Sequence, residues 1–184
     1  MKIRACNPIF LRANAGMNGP NDHNRQAIRF YCDEMLKRLG RWLRAAGYDT
    51  RIQENAGSDR TMLQAARREG RLLVTRDRKL MEFHHAAGTI ILLRGNTLNE
   101  CIAGLSGELQ LDWLYRPFSR CLVCNTELAK ADRAAWDCIP ETARTHAQRL
   151  YWCATCTRIY WEGGHVRRMR ARLAAWNDRS GKTI

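Results

Sequence analysis

Four of the eight cysteines fall into two Cys-x-x-Cys pairs, Cys121-Leu122-Val123-Cys124 and Cys153-Ala154-Thr155-Cys156. Each pair makes a tight turn with both sulfurs on one side, so two pairs let four thiolates converge tetrahedrally on one Zn²⁺ per chain. One pair alone would serve equally well as a dithiol redox site. Two pairs in a segment without a βαβ pattern favour zinc. Four sulfurs leave the metal no open position, which makes its expected role structural. Cys6, Cys32, Cys101 and Cys138 lack this spacing and read as small buried hydrophobes. His146 and His165 read as surface residues or neighbours of the metal site.

A second constellation is acidic. Asp33 and Asp77 each follow an apolar run, Ala27–Cys32 and Leu72–Thr75, and Asp33, Asp59 and Asp77 each open a helical pattern. In an open parallel sheet the carboxyl ends of the strands line one edge, where ligands bind. Three carboxylates gathered there repel one another unless a cation lies between them. Mg²⁺ and Mn²⁺ accept such hard oxygen ligands and keep waters for a substrate phosphate. Hydrolysis of a phosphodiester by a metal-activated water is the chemistry this set would support. The competing reading is local, because Asp is a preferred helix N-cap and any one of the three satisfies free N–H groups by itself. Glu34, Glu69 and Arg76 are candidate helpers. An acid in a helix's first turn also complements the dipole, and Glu69 also suits a solvated helix face. Arg76 and Arg78 flank Asp77, placed either to hold phosphate or to pair with the acids.

The elements that must position these residues follow from periodicity. Short apolar runs at Ala27–Cys32, Tyr48–Gln53, Leu72–Thr75 and Thr89–Leu93 read as strands, the last buried on both faces to judge by its unbroken apolar run. Between them lie helical stripes: Met35, Leu36, Leu39, Trp42, Leu43 and Ala46; then Met62, Leu63 and Ala66; then Leu80, Met81 and Phe83. Ser58 or Asp59 caps the second of these, and Gly47 stands where a left-handed C-cap residue belongs after the first. A further helix carries Leu98, Cys101, Ile102, Leu105 and Leu109. Strands alternating with helices predict an α/β fold, a parallel sheet flanked by helices. Beyond Trp113 the texture changes to short strand-like runs around the cysteines. A basic helix, Val166 to Trp176, ends the pattern, with Met169, Leu173 and Trp176 inward and Arg167, Arg168, Arg170 and Arg172 mostly outward. The expected division is a flexible leader at 1–26, the α/β domain at 27–116, and a zinc ribbon with C-terminal helix at 117–184. Met17 is an alternative start.

Composition narrows the function classes. With 45% hydrophobic and 27% charged residues the chain is globular in type and not disordered. Thr89–Leu93 is too short to span a bilayer. The stretch Met1 to Asn14 is broken by Lys2, Arg4, Pro8 and Arg12, unlike a signal peptide. A cytoplasmic location is the default, and reducing conditions there suit metal-bound thiolates. The 31 Lys+Arg against 18 Asp+Glu give a formal charge of +13. That excess favours an anionic partner, RNA or other nucleic acid ahead of membrane, since no basic helix with a bulky apolar face stands out. Arg167, Arg168, Arg170 and Arg172 are the candidate backbone contacts, the alternative being a merely solvated basic face.

The motifs themselves are familiar. Phe30-Tyr31-Cys32-Asp33-Glu34-Met35-Leu36, Leu39-Gly40-Arg41-Trp42-Leu43-Arg44 and Glu69-Gly70-Arg71-Leu72-Leu73-Val74-Thr75-Arg76-Asp77 resemble the PIN-like Mut-seven C-terminal RNase family. Cys121 to Leu128, Tyr151 to Cys156 and Ile159 to His165 resemble that family's zinc ribbon. The resemblance runs from about Phe30 to about Leu173. It implies a PIN-like nuclease domain fused to a zinc ribbon and a metal-dependent ribonuclease using Mg²⁺ or Mn²⁺, with Asp33, Asp59 and Asp77 at the catalytic positions and Glu34 and Glu69 as helpers. The alternatives are a non-catalytic RNA-binding or ribosome-associated zinc-ribbon protein, and the toxin of a toxin–antitoxin pair with a protein antitoxin as partner.

Overall fold

A computed structural model describes residues 28–54, 58–83 and 87–180; the expected leader at 1–26, with Cys6 and Met17, lies outside them. The apolar runs form β1 (Phe30–Cys32), β2 (Thr50–Ile52), β3 (Leu72–Thr75) and β4 (Ile90–Leu92). They pair in the order β2-β1-β3-β4, every pair parallel, with Phe30 level with Thr50 and Leu72, and Thr75 level with Leu92. The connections run through α1 (Lys37–Ala46) and α2 (Asp59–Arg68), and α3 (Leu98–Glu108) follows β4.

Strand alternation divides the core. Phe30, Cys32 and Val74 face one side, packing with Leu39 and Leu43 of α1 and Ile102 and Leu105 of α3. Tyr31 and Leu73 face the other, against Met62, Leu63 and Ala66 of α2 and Leu80. Period-2 strands feeding period-3.6 stripes are what close the two layers around the sheet. Gly47 ends α1 at φ +102°. A Cβ there would meet the Arg116 carbonyl oxygen at 2.3 Å, so this position needs glycine both for its backbone and for the close chain crossing.

Two sequence expectations need correction. Met35 is 62% exposed rather than on the buried stripe, because Glu34–Leu36 form a 3₁₀ turn that shifts the register ahead of α1. β4 is half-buried along its length rather than covered on both faces, because it is an edge strand of the sheet.

The cysteine-rich segment forms a second, antiparallel sheet of β5 (Ala129–Lys130), β6 (Leu150–Cys153) and β7 (Arg158–Trp161). The short α4 (Glu141–Arg144) lies between β5 and β6. α5 (Gly164–Ser180) then returns to the parallel-sheet core. Leu173 and Trp176 are buried in that core, and Trp176 meets Trp42 and Trp113 edge-on, with ring centroids 4.7 and 5.5 Å apart. α5 thus follows β7 in the chain and packs on the core of the parallel sheet. Among the described residues no helix is long and apolar enough to cross a membrane.

Candidate functional site

The chain leaves β1 toward β2 on one side and leaves β3 toward β4 on the other. The direction reverses between β1 and β3, and an open parallel sheet has its crevice outside the strand ends at such a point. Asp33 and Asp77 emerge there. The Asp33 N–H donates to the Val74 carbonyl at 3.1 Å, which extends the ladder one residue beyond β1. Thr75, the buried last residue of β3, joins the two acids: its hydroxyl donates to Asp33 Oδ2 at 2.9 Å and accepts the Asp77 N–H at 3.0 Å. Asp77 Oδ1 accepts the Lys79 N–H at 2.9 Å, capping the 3₁₀ turn Arg78–Glu82. Each carboxylate keeps its other oxygen out of these bonds. Thr75 escaped the sequence reading, although a Thr-x-Asp turn at a strand end is the signal that marks it.

Asp59 is the first residue of α2, one past the true cap, Ser58, whose Oγ accepts the Thr61 N–H at 3.3 Å. α2 returns the chain from the carboxyl end of β2 to the start of β3, which puts Asp59 at the same sheet edge as the pair. The three aspartates are not crowded at one point, however. Among the described residues the only group of three or more potential metal ligands with donor atoms within 4.8 Å of one another is made of cysteines. Of the helper candidates, Glu34 is exposed and paired with Lys37 at 3.0 Å. Arg76 follows β3 and donates to Asn96 Oδ1. Glu69 lies before β3, at the amino edge, roughly 10 Å of strand away from the acids. It is paired there with Arg51 and with Arg71, the latter at 2.7 Å. The fold does not bring it to the acidic edge.

Cys121, Cys124, Cys153 and Cys156 cluster, with all four sulfurs within 4.8 Å of one another. Tetrahedral Zn–S bonds of about 2.3 Å place sulfurs about 3.8 Å apart, so the cluster is compatible with a metal such as zinc. The surroundings suit thiolates: the Cys156 N–H points to Cys153 Sγ at 3.4 Å, and the Tyr160 hydroxyl is 3.0 Å from Cys121 Sγ. Burial drives Cys153 up to about 11, and its thiol neighbours add to this. Burial also opposes ionisation of Cys124, but the Thr126 hydroxyl and backbone outweigh it and bring this thiol to about 6. Four thiolates this close cannot all ionise without a cation among them. His146 and His165 lie outside the cluster, both exposed.

The first cysteine turn is bolted to the parallel sheet by residues the sequence did not single out. Arg44, 4% exposed, donates from Nε to the Thr50 carbonyl at 2.8 Å and from Nη1 to the Leu122 and Val123 carbonyls at 3.2 and 2.6 Å. Burial lowers its pKa, and the nearby thiols of Cys121, Cys32 and Cys124 oppose that. Asn125, at φ +73°, accepts the Thr50 N–H and donates to Asp49 Oδ1 at 2.6 Å. Arg71 binds the same Asp49 carboxylate at 2.7 Å. Burial pushes Asp49 up, but hydrogen bonds from Arg71 and Asn125 outweigh it and hold the carboxyl below its ordinary value.

On α5 all four arginines are exposed. Arg170 pairs with Glu162 and lies over the Phe118 ring, and Arg172 lies over Trp42 and Trp176. Arg167 and Arg168 make no ion pair or ring contact among the described residues.

A doubly wound α/β sheet with acids at its switch point, followed by a four-cysteine sheet, defines the class. The chain belongs to the family described as the Mut7-C RNAse domain, whose model matches residues 28–173. Membership points to a nuclease-type function. Neither the curated proteins nor the solved structures compared with it gave a match.

Proposed function

We propose that the protein is a metal-dependent ribonuclease whose centre is the crevice between β1 and β3. The observation that carries this reading is the Thr75 bridge, which holds Asp33 and Asp77 side by side with one oxygen of each left over. Mg²⁺ commonly binds through one or two carboxylates, waters and substrate phosphate, so the pair suffices as direct ligands and Asp59 fits as a water-mediated one. When bound, a hard divalent ion supplies positive charge for the phosphate and makes an attacking water more acidic. Asp33 and Asp77 orient the scissile phosphate's surroundings, and Thr75 fixes the Asp33 carboxylate so that no reorganisation is needed during reaction.

The four cysteines, in this reading, hold one structural Zn²⁺ in a zinc ribbon. The exposed Arg167 and Arg168 of α5, with Arg170 and Arg172, contact the RNA backbone. Incubation of purified protein with labelled single-stranded and structured RNAs, with Mn²⁺ and without it, tests the proposal. Mn²⁺-dependent cleavage that disappears in Asp77→Asn is the expected result. One observation favours the second reading, a non-catalytic RNA-binding module: Asp77 does cap a 3₁₀ turn. Tight RNA binding without cleavage in Mn²⁺ is its mark.

A further inference from the structure

Beside the acid pair, the carboxyl ends of β3 and β4 open into a pocket of about 310 Å³ lined by Arg76, Arg78, Leu92, Leu93, Arg94 and Asn96. Register explains the gathering. Thr75 is level with Leu92, so Arg76 and Arg78 follow β3 where Arg94 follows β4, one strand over. Arg76 leans on Asn96 Oδ1. Among the described residues none of the three arginines has an ion-pair partner. Glu100, which Arg76 influences, is committed to the α3 capping box, its Oε2 accepting the Asn96 and Thr97 N–H groups at 2.7 and 3.3 Å. Three guanidinium groups lining one pocket repel one another, and an anion between them relieves that repulsion.

We infer that this pocket is a phosphate subsite of the nuclease, where Arg78 and Arg94 grip a phosphate group of the RNA adjoining the one at Asp33 and Asp77. The inference rests on the ribonuclease reading for its ligand. Guanidinium forks match phosphate oxygens in a bidentate way. Among the described residues the pocket has no aromatic wall on which a base would stack, which separates it from a nucleobase site. An internal phosphodiester and a terminal phosphate share this chemistry.

The test is the Arg78→Gln/Arg94→Gln double variant, both side chains being exposed and Arg76 left in place because it is tied to Asn96. Binding of fluorescent oligouridine, with either a 5′-hydroxyl or a 5′-phosphate, is followed across a salt series without added Mg²⁺ or Mn²⁺. The expected result is an unchanged melting temperature and a slope of log affinity against log salt smaller by roughly 0.7, the share of one phosphate no longer neutralised. Equal loss for both RNAs assigns the pocket to an internal diester. Loss confined to the 5′-phosphate RNA assigns it to the chain end. The Arg78→Lys/Arg94→Lys variant keeps the slope, whereas a purely structural role would not follow charge. An unchanged slope and affinity for both RNAs in the folded Gln variant overturns the subsite, as does wild-type protein that binds neither. A reduced slope in a protein that never cleaves RNA leaves the subsite standing and removes the nuclease reading.

Discussion

The four-cysteine cluster and the acidic sheet edge are both candidate metal sites, yet they are built on opposite plans. In the cluster each pair of sulfurs is delivered by one turn, and only the meeting of two turns is left to the fold. All four donors arrive within 4.8 Å of one another. At the sheet edge each carboxylate comes from a different connection, and a threonine hydroxyl donates to the Asp33 carboxylate while accepting the Asp77 backbone N–H. A site made of local turns is closed and suits structure. One made of strand ends is open, with room for substrate and water, and suits chemistry.

Cys153→Ser is expected to expel one Zn²⁺ per chain and unfold β5–β7, because metal binding in small modules is worth about 10–16 kcal/mol and is coupled to folding. Elemental analysis of freshly purified wild type with no zinc would end the structural-zinc reading.

At the open site the expected loss is in rate and not in stability. Asp77→Asn keeps the size and most of the capping ability but removes charge a divalent ion needs, so cleavage should fall roughly a thousandfold, about 4 kcal/mol of transition-state stabilisation. Asp77→Ala should in addition lower stability by ~1 kcal/mol. Full cleavage by Asp77→Asn, in preparations proven free of contaminating RNase, contradicts the metal-nuclease assignment and leaves the cap.

The joint between the two regions sharpens the contrast. Arg44→Met removes the donors serving the buried Thr50 carbonyl and the partly buried Leu122 and Val123 carbonyls, which should cost about 2 kcal/mol in chemical denaturation. Zinc content should persist, because no ligand is touched; zinc lost from the folded variant would show that the cluster depends on the sheet. The smallest effect concerns pH. Asp49 is held below its ordinary carboxyl value in the folded state, so the stability it contributes is present above about pH 4 and is lost as pH falls through its lower folded value. Asp49→Asn should lower stability by about 1 kcal/mol at pH 7 and flatten the acid limb below pH 4. A wild-type acid limb retained unchanged in Asp49→Asn would mean that the Arg71–Asp49–Asn125 link contributes nothing.

Some of this was plain from particular residues. The strand Leu72–Thr75, the left-handed Gly47 and each of the two Cys-x-x-Cys turns express short-range rules, acting within one turn or one alternation. Met35 misled because a 3₁₀ turn before α1 changes the helical phase, and a hydrophobic stripe does not announce where its helix begins. Glu69 misled because an acid beside a strand reads the same at either end. Only the direction of β3 within the sheet shows that it lies at the amino edge with Arg51 and Arg71.

By itself, then, the sequence determined the α/β alternation, the two Cys-x-x-Cys turns and the aspartates that follow strands, since propensity, period and turn spacing are carried by neighbouring residues. Tertiary structure decided the rest. The order β2-β1-β3-β4 brought Asp33 and Asp77 to neighbouring strand ends, put Thr75 between them, set Arg94 at the end of the strand next to β3, and returned Trp176 to the core of a domain that begins over a hundred residues earlier. Those contacts join segments far apart in the chain. Their selection depends on which faces can bury apolar area together, a property that no local stretch of sequence contains.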